Sequence, residues 1–360
     1  MSQFNLNERQ REAVEYQGGD LLIIAGAGTG KTQVLTKRVL FCIEKDLAKP
    51  SEILALTYTD KAAQEMLDRV DSNMSYGYEQ PLISTFHSFC DKILREDGYN
   101  IGIDSGYSLM SKSEGYIFLR KHFDELPFNR LLPKGNPQSF IKDFQDHISK
   151  LQDEDITPED YIAFASKLPR SNRKEEEDFY KYTELANSYK IYRDLKLKES
   201  KVDFGDLIIL TTKLFRERPN VLDKYRKMFK YILVDEFQDT NFTQNVLINS
   251  IVLGLDDSDS SIRPLLTVVG DDDQSIYKFR GAAISNILQF KQTYSDAKEV
   301  VLVENYRSKQ EILDSSYTLI RHNDPNRLEV TENIDKRLIA MGVFDSDEDA
   351  VKLRDRKSVV

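Results

Sequence analysis

Gly26-Ala27-Gly28-Thr29-Gly30-Lys31-Thr32 gathers small residues, one lysine and one hydroxyl directly after the apolar run Leu21–Ala25. Small side chains let successive backbone N–H groups turn inward around a polyphosphate. A helix opened by this loop adds the positive potential of its N-terminus. Lys31 has the reach for outer phosphates, and the Thr32 hydroxyl suits Mg²⁺. The usual spacing puts glycine five residues before the Gly-Lys pair, and this chain has Ala25 there.

A second group of chemical residues closes the apolar run Tyr231–Val234, where Asp235 and Glu236 stand side by side. Carboxylates at the C-terminal edge of a parallel sheet lie where such folds bind ligands. Asp235 is placed to hold Mg²⁺ through water, and Glu236 to orient or deprotonate an attacking water. A third group, Gly270–Gly281, follows the run Leu265–Val269. Its Gln274 is neutral, donates and accepts, and can sense a γ-phosphate. Tyr277, Phe279 and Arg280 interleave rings with a cation, which suits stacking on unpaired bases. Asp271, Asp272 and Asp273 would repel nucleotide unless some of them cap a helix.

These groups need a scaffold that brings strand ends together. Short apolar runs at Leu21–Ala25, Ile53–Thr57, Leu82–Thr85, Tyr231–Val234, Leu265–Val269 and Val300–Val303 alternate with helical patterns. That alternation predicts a parallel α/β sheet covered on both faces. The interval from Thr85 to Tyr231 is too long for one crossover and reads as successive helices. The spacing predicts a first α/β segment over 1–104, a helical insertion over 105–200 and a second α/β segment over 201–290. The polar stretch Lys291–Lys298 then predicts a second α/β domain beginning within 291–360.

Composition narrows the class. In 360 residues with a net charge of −10, diffuse affinity for nucleic acid is disfavoured, but a locally basic groove is not. Two cysteines, Cys42 and Cys90, give no disulfide framework and suit a reducing, cytoplasmic setting. The four histidines show no metal-ligand spacing. No apolar run is long enough to span a bilayer, and the N-terminus reads as lacking a secretory leader.

Taken in order, the motifs resemble the superfamily 1 DNA helicases of the UvrD/Rep/PcrA family. Leu6–Val14 resembles the adenine-reading Q motif, and Ala25–Thr32 resembles motif I, including the family's own alanine at its first position. Leu54–Ala63 is similar to motif Ia and Ser84–Phe89 to motif Ib. Val202–Leu207 resembles the family's Asp-Phe segment, where the chain returns from the helical insertion. Asp235–Thr240, Gly270–Gly281 and Glu304–Ser308 resemble motifs II, III and IV. Against the family pattern, Gln33 replaces an arginine, Tyr58 a phenylalanine, Asp60 an asparagine and Phe279 a tryptophan.

The resemblance implies an α/β fold: a RecA-like P-loop NTPase sheet, an inserted helical subdomain and the start of a second RecA-like lobe. It implies an ATP- and Mg²⁺-dependent helicase moving 3′ to 5′ on single-stranded DNA. Catalysis would fall to Lys31, Glu236, Gln274 and the arginine finger Arg307. Ala25, Gly26, Ala27, Gly28, Thr29, Gly30, Lys31 and Thr32 would cradle ATP, with Gln10 reading adenine and Tyr306 stacking on it. Thr32 and Asp235 would hold the metal. Tyr58, Thr85, His87, Tyr277, Phe279 and Arg280 would line the DNA path. Two other readings fit: an ATPase subunit whose motor a partner protein completes in a helicase–nuclease or defence assembly, or an ATP- and DNA-binding fragment without useful turnover. The family's late motifs, with Gly-Leu-Glu-Phe and Thr-Arg-Ala cores, do not occur in this sequence. Asp355–Val360 matches the peptide spelled by a common sequencing adapter, so an incomplete gene product is expected.

Overall fold

The apolar run Leu21–Ala25 forms β1, and all five of its residues are buried in the computed structural model. The structure describes residues 6–74, 77–133, 136, 139–255, 263–275, 285–325 and 327–342. The strands after β1 are β2 (Ile53–Thr57), β3 (Leu82–Thr85), β4 (Ser108–Met110), β5 (Lys201–Asp203) and β6 (Tyr231–Val234). They are followed by β7 (Leu265–Gly270), β8 (Lys298–Leu302), β9 (Glu304–Asn305) and β10 (Ile339–Ala340). Six strands build one parallel sheet in the order β3-β2-β6-β7-β1-β8. The central strands carry apolar residues on both faces, as a parallel sheet covered by helices requires. Ala13 and Val14 of α1 (Glu8–Glu15), Val34, Leu35 and Val39 of α2 (Lys31–Glu44), and Met66 and Val70 of α3 (Asp60–Asp71) join its core. The architecture is the expected α/β class, a RecA-like lobe.

Two compact units divide the chain differently from the expected 1–104, 105–200, 201–290 and 291–360. The described residues within Met1–Thr85, Lys227–Thr240 and Pro264–Val360 form the first, and those within Phe86–Arg226 and Asn241–Arg263 the second. The strand expected to open a second α/β domain instead extends the first sheet. In β8, Val300 and Leu302 are buried, and Val300 pairs with Ile23 of β1. The polar stretch before it is edge chemistry rather than a linker. Lys291 pairs with Glu299 at 2.9 Å and Glu332 at 2.5 Å, and Lys298 with Glu12 at 3.0 Å.

The second unit is predominantly helical. Its core joins Phe118 and Leu119 to Phe144, Ile148, Tyr161, Tyr189 and Tyr192, from helices Lys112–Lys121, Phe140–Asp153, Pro158–Ser166 and Arg173–Lys198. β4 and β5 pair in parallel in this unit. The unit also takes in the helix Phe86–Asp97, where Tyr225 Oη donates to Asp97 Oδ2 at 2.8 Å. Among the described residues, no helix is long and apolar enough to cross a membrane. Asp355–Val360 lies outside the described residues.

Candidate nucleotide site

The site grows from the end of β1. Ala25 is wholly buried as the last strand residue, paired with Leu302, so it anchors the loop instead of lining it. Gly28 (φ +76°) and Gly30 (φ +87°) hold the left-handed conformation that glycine adopts freely. A Cβ at Gly28 would sit 2.6 Å from Asn305 Nδ2 and 2.7 Å from Arg307 Cβ. The loop is stapled from several sides. Thr29 Oγ1 donates to Gly26 O at 2.8 Å, Asn305 Nδ2 to Ala27 O at 2.5 Å, and Tyr306 N–H to Gly28 O at 2.9 Å. Gly30 caps α2 with no side-chain hydrogen bond, and the first N–H groups of a helix have no intrahelical partner. Those donors suit an anion.

Lys31 and Thr32 open α2 and face the acid pair carried by β6. Lys31 Nζ lies 2.6 Å from Glu236 Oε2 and 3.3 Å from Gln274 Oε1. Thr32 Oγ1 lies 3.4 Å from Asp235 Oδ2. Glu236 is itself left-handed (φ +48°), an unusual conformation for a residue with a side chain and one that concentrates at functional sites. Gln238 Nε2 donates to Glu236 Oε2 at 2.8 Å. Burial, then the neighbouring charge of Glu236, pushes the Asp235 carboxyl up to about 6. The same two causes push Asp239 up to about 6. Three carboxyl groups thus crowd one lysine. A carboxylate and a hydroxyl facing each other are the hard oxygen donors that Mg²⁺ prefers, so Asp235 and Thr32 fit that ion.

Gln10 and Tyr306 meet the loop from the opposite side. Gln10 completes a reciprocal cap with Asn7, accepting from its N–H at 3.1 Å and donating to its Oδ1 at 2.7 Å. Gln10 Nε2 also donates to Thr29 O at 2.9 Å, which leaves the carboxamide one hydrogen and one lone pair for a ligand. Tyr306 is exposed; its Oη donates to Glu304 at 2.7 Å and accepts from Asn7 Nδ2 at 3.0 Å. Arg307 is exposed beside the loop.

A family model for the UvrD/REP helicase N-terminal domain matches residues 6–295. The chain belongs to that family. Among curated relatives, the probable DNA helicase II homolog of Mycoplasma capricolum is 37% identical over 88% of this chain and 41% of its own length. The ATP-dependent DNA helicase PcrA of Staphylococcus epidermidis is 38% identical over 90% of this chain and 41% of its own. The PcrA of Bacillus subtilis is 38% identical over 88% and 40%. The chain spans about two fifths of the length of these relatives.

Of the residues expected along a DNA path in this UvrD/REP domain, Tyr58 and Thr85 follow or end neighbouring strands, β2 and β3. Tyr58 is half-buried; Thr85 is buried and donates to Asp60 Oδ1 at 3.2 Å. His87 lies in the second unit, edge-on to Phe204 with ring centroids 5.6 Å apart. Tyr277, Phe279 and Arg280 lie outside the described residues. Sequence reasoning missed three fixed supports of the site: Asn305, Gln238 and Asp271. Asn305 holds the loop and, through Oδ1, the N–H groups of Arg307 at 2.9 Å and Ser308 at 2.8 Å. Gln238 Oε1 accepts from Asp271 N–H at 3.0 Å. Asn305 and Gln238 stand inside recognisable motifs, and that adjacency was the available signal.

Proposed function

We propose that this chain is the nucleotide-hydrolysing part of an ATP-dependent DNA helicase that moves 3′ to 5′ on single-stranded DNA. The observation that supports this most is Lys31 Nζ set between Glu236 and Gln274 while Thr32 faces Asp235. In this reading the loop amides and Lys31 hold the phosphates, and Lys31 leaves Glu236 when a γ-phosphate arrives. Glu236, released from its ion pair, accepts a proton from the attacking water. Gln274 Oε1 orients that water or its Nε2 touches the γ-phosphate. Mg²⁺ held by Thr32 and Asp235 would neutralise charge developing on the phosphates. Arg307 supplies a cation to the same phosphate, a contribution worth roughly 10³–10⁵ in rate in related chemistry. Gln10 and Tyr306 select and cover the adenine.

The test is ATP hydrolysis by this chain, with and without single-stranded DNA, beside Lys31→Ala. The proposal expects turnover raised by the strand and abolished in the variant. Turnover indifferent to Lys31→Ala would overturn it.

A further inference from the structure

Asp271 and Lys336 have no role in the chemistry above, yet an unbroken series of hydrogen bonds joins them to it. Asp271 follows β7 and is buried. Its N–H donates to Gln238 Oε1, and Gln238 in turn donates to Glu236. Its Oδ2 accepts from Gln274 Nε2 at 2.6 Å, and Gln274 Oε1 accepts from Lys31. Its Oδ1 accepts from Lys336 Nζ at 2.8 Å. Asp271 is therefore a hub with one arm ending at the water-activating carboxylate and the other at the phosphate-binding lysine.

Lys336 makes that hub tenable. Oxygens of Asp271, Asp272 and Asp273 lie within 4.8 Å of one another, a crowd of like charge that needs a cation. The buried Lys336 ammonium fills that need, contacting Asp271, Asp272 and, at 3.1 Å, Asp273. Arg327 grips Asp273 with two bonds of 2.8 and 2.7 Å, and Leu328 N–H donates to Asp272 Oδ2 at 2.8 Å. Each of the three aspartates of this motif thus has at least one carboxylate oxygen bound by Arg327, Leu328 or Lys336. The orientation of the Gln274 amide follows from the arrangement. With Nε2 bound to a carboxylate, Oε1 must face Lys31, and one Nε2 hydrogen remains for a phosphate oxygen.

We infer that Lys336 is a positioning residue for the γ-phosphate: acting through Asp271, it fixes the Gln274 amide and so sets how the site distinguishes a nucleoside triphosphate from a diphosphate. Lys336 lies beyond residues 6–295 matched by the family model. The inference rests on the nucleotide reading proposed above.

The experiment is equilibrium binding of ADP and of a non-hydrolysable ATP analogue, both with Mg²⁺, to the full chain and its variants. Lys336→Met is expected to weaken the triphosphate about tenfold, the worth of one charge-assisted hydrogen bond, while ADP affinity stays within about twofold. Lys336→Arg should restore much of the difference. Gln274→Ala should lose the same discrimination, and adding Lys336→Met to it should lose no more. Asp271→Asn keeps the backbone N–H and side-chain size, so it repeats the test should Lys336→Met fail to fold; it too is expected to lose the triphosphate selectively. A merely structural role would weaken both nucleotides together, and that result overturns the inference, as does unchanged discrimination. If the wild type bound neither nucleotide, the nucleotide reading would fall and this inference with it.

Discussion

Gly28→Ala is the substitution whose cost can be worked most fully from the structure. Gly28 has φ +76°, and a left-handed conformation costs a residue with a Cβ roughly 1–2 kcal/mol. The new methyl would also meet Asn305 Nδ2 at 2.6 Å and Arg307 Cβ at 2.7 Å. Asn305 is buried and fixed by its own bond to Ala27 O, so it has little room to retreat, and overpacking of this kind adds about 1–3 kcal/mol. The sum is roughly 2–5 kcal/mol. Gly77 supplies the control. Its φ is +82°, and no atom of the other described residues lies within 4 Å of its would-be Cβ, so Gly77→Ala is expected to bear only the conformational cost. Both changes stiffen the unfolded chain alike, and that contribution cancels in the comparison. Urea unfolding of the two variants gives the difference, expected at about 1–3 kcal/mol against Gly28→Ala. Triphosphate affinity should fall in Gly28→Ala alone, because displacing Asn305 releases the loop. Equal destabilisation of the two variants would refute the packing argument.

Two further outcomes are expected. Arg38 is buried under the C-terminal end of α1, where its Nη1 donates to Ala13 O at 2.9 Å, Val14 O at 3.2 Å and Tyr16 O at 2.7 Å. Arg38→Met should destabilise the first unit by about 2–4 kcal/mol in urea unfolding, through those orphaned carbonyls. His147 is half-buried with Nε2 2.9 Å from Tyr161 Oη, and burial, then the charges of Lys181 and Lys150, hold its imidazole below 6.5. The folded state therefore prefers the neutral ring: this contribution is complete above 6.5 and is lost as pH falls through the folded value. Thermal unfolding from pH 7.5 down to 5 should show His147→Gln losing less stability than the wild type, and parallel slopes would contradict this.

Much of the site was legible because its residues are local. The loop from Gly26 to Thr32 and the pair Asp235-Glu236 each depend on a strand feeding a turn, and apolar runs announce such strands. What pairs with what at long range was not legible. The polar residues Lys291 and Lys298 read as a linker, yet their charges are matched by Glu332, Glu299 and Glu12 along the edge of the sheet. The helix Phe86–Asp97 shows an apolar face in sequence, but no pattern says which body that face will join. Likewise three consecutive aspartates read as a liability, because their cation, Lys336, stands some sixty residues away in an otherwise featureless charged stretch. Gln10 illustrates an intermediate case. The resemblance of its segment to the Q motif implies an adenine contact, while its bonds to Asn7 and Thr29 tie it first to its own helix cap and the loop.

The central claim is that Glu236 serves chemistry and Lys31 serves binding. Glu236→Gln, compared with the wild type for both triphosphate affinity and ATP turnover in the presence of single-stranded DNA, separates the two. Affinity should be equal or tighter, since Lys31 loses its ion-pair partner, while turnover falls by about 10²–10⁴, the range for removal of a general base. Undiminished turnover in that variant would contradict the account.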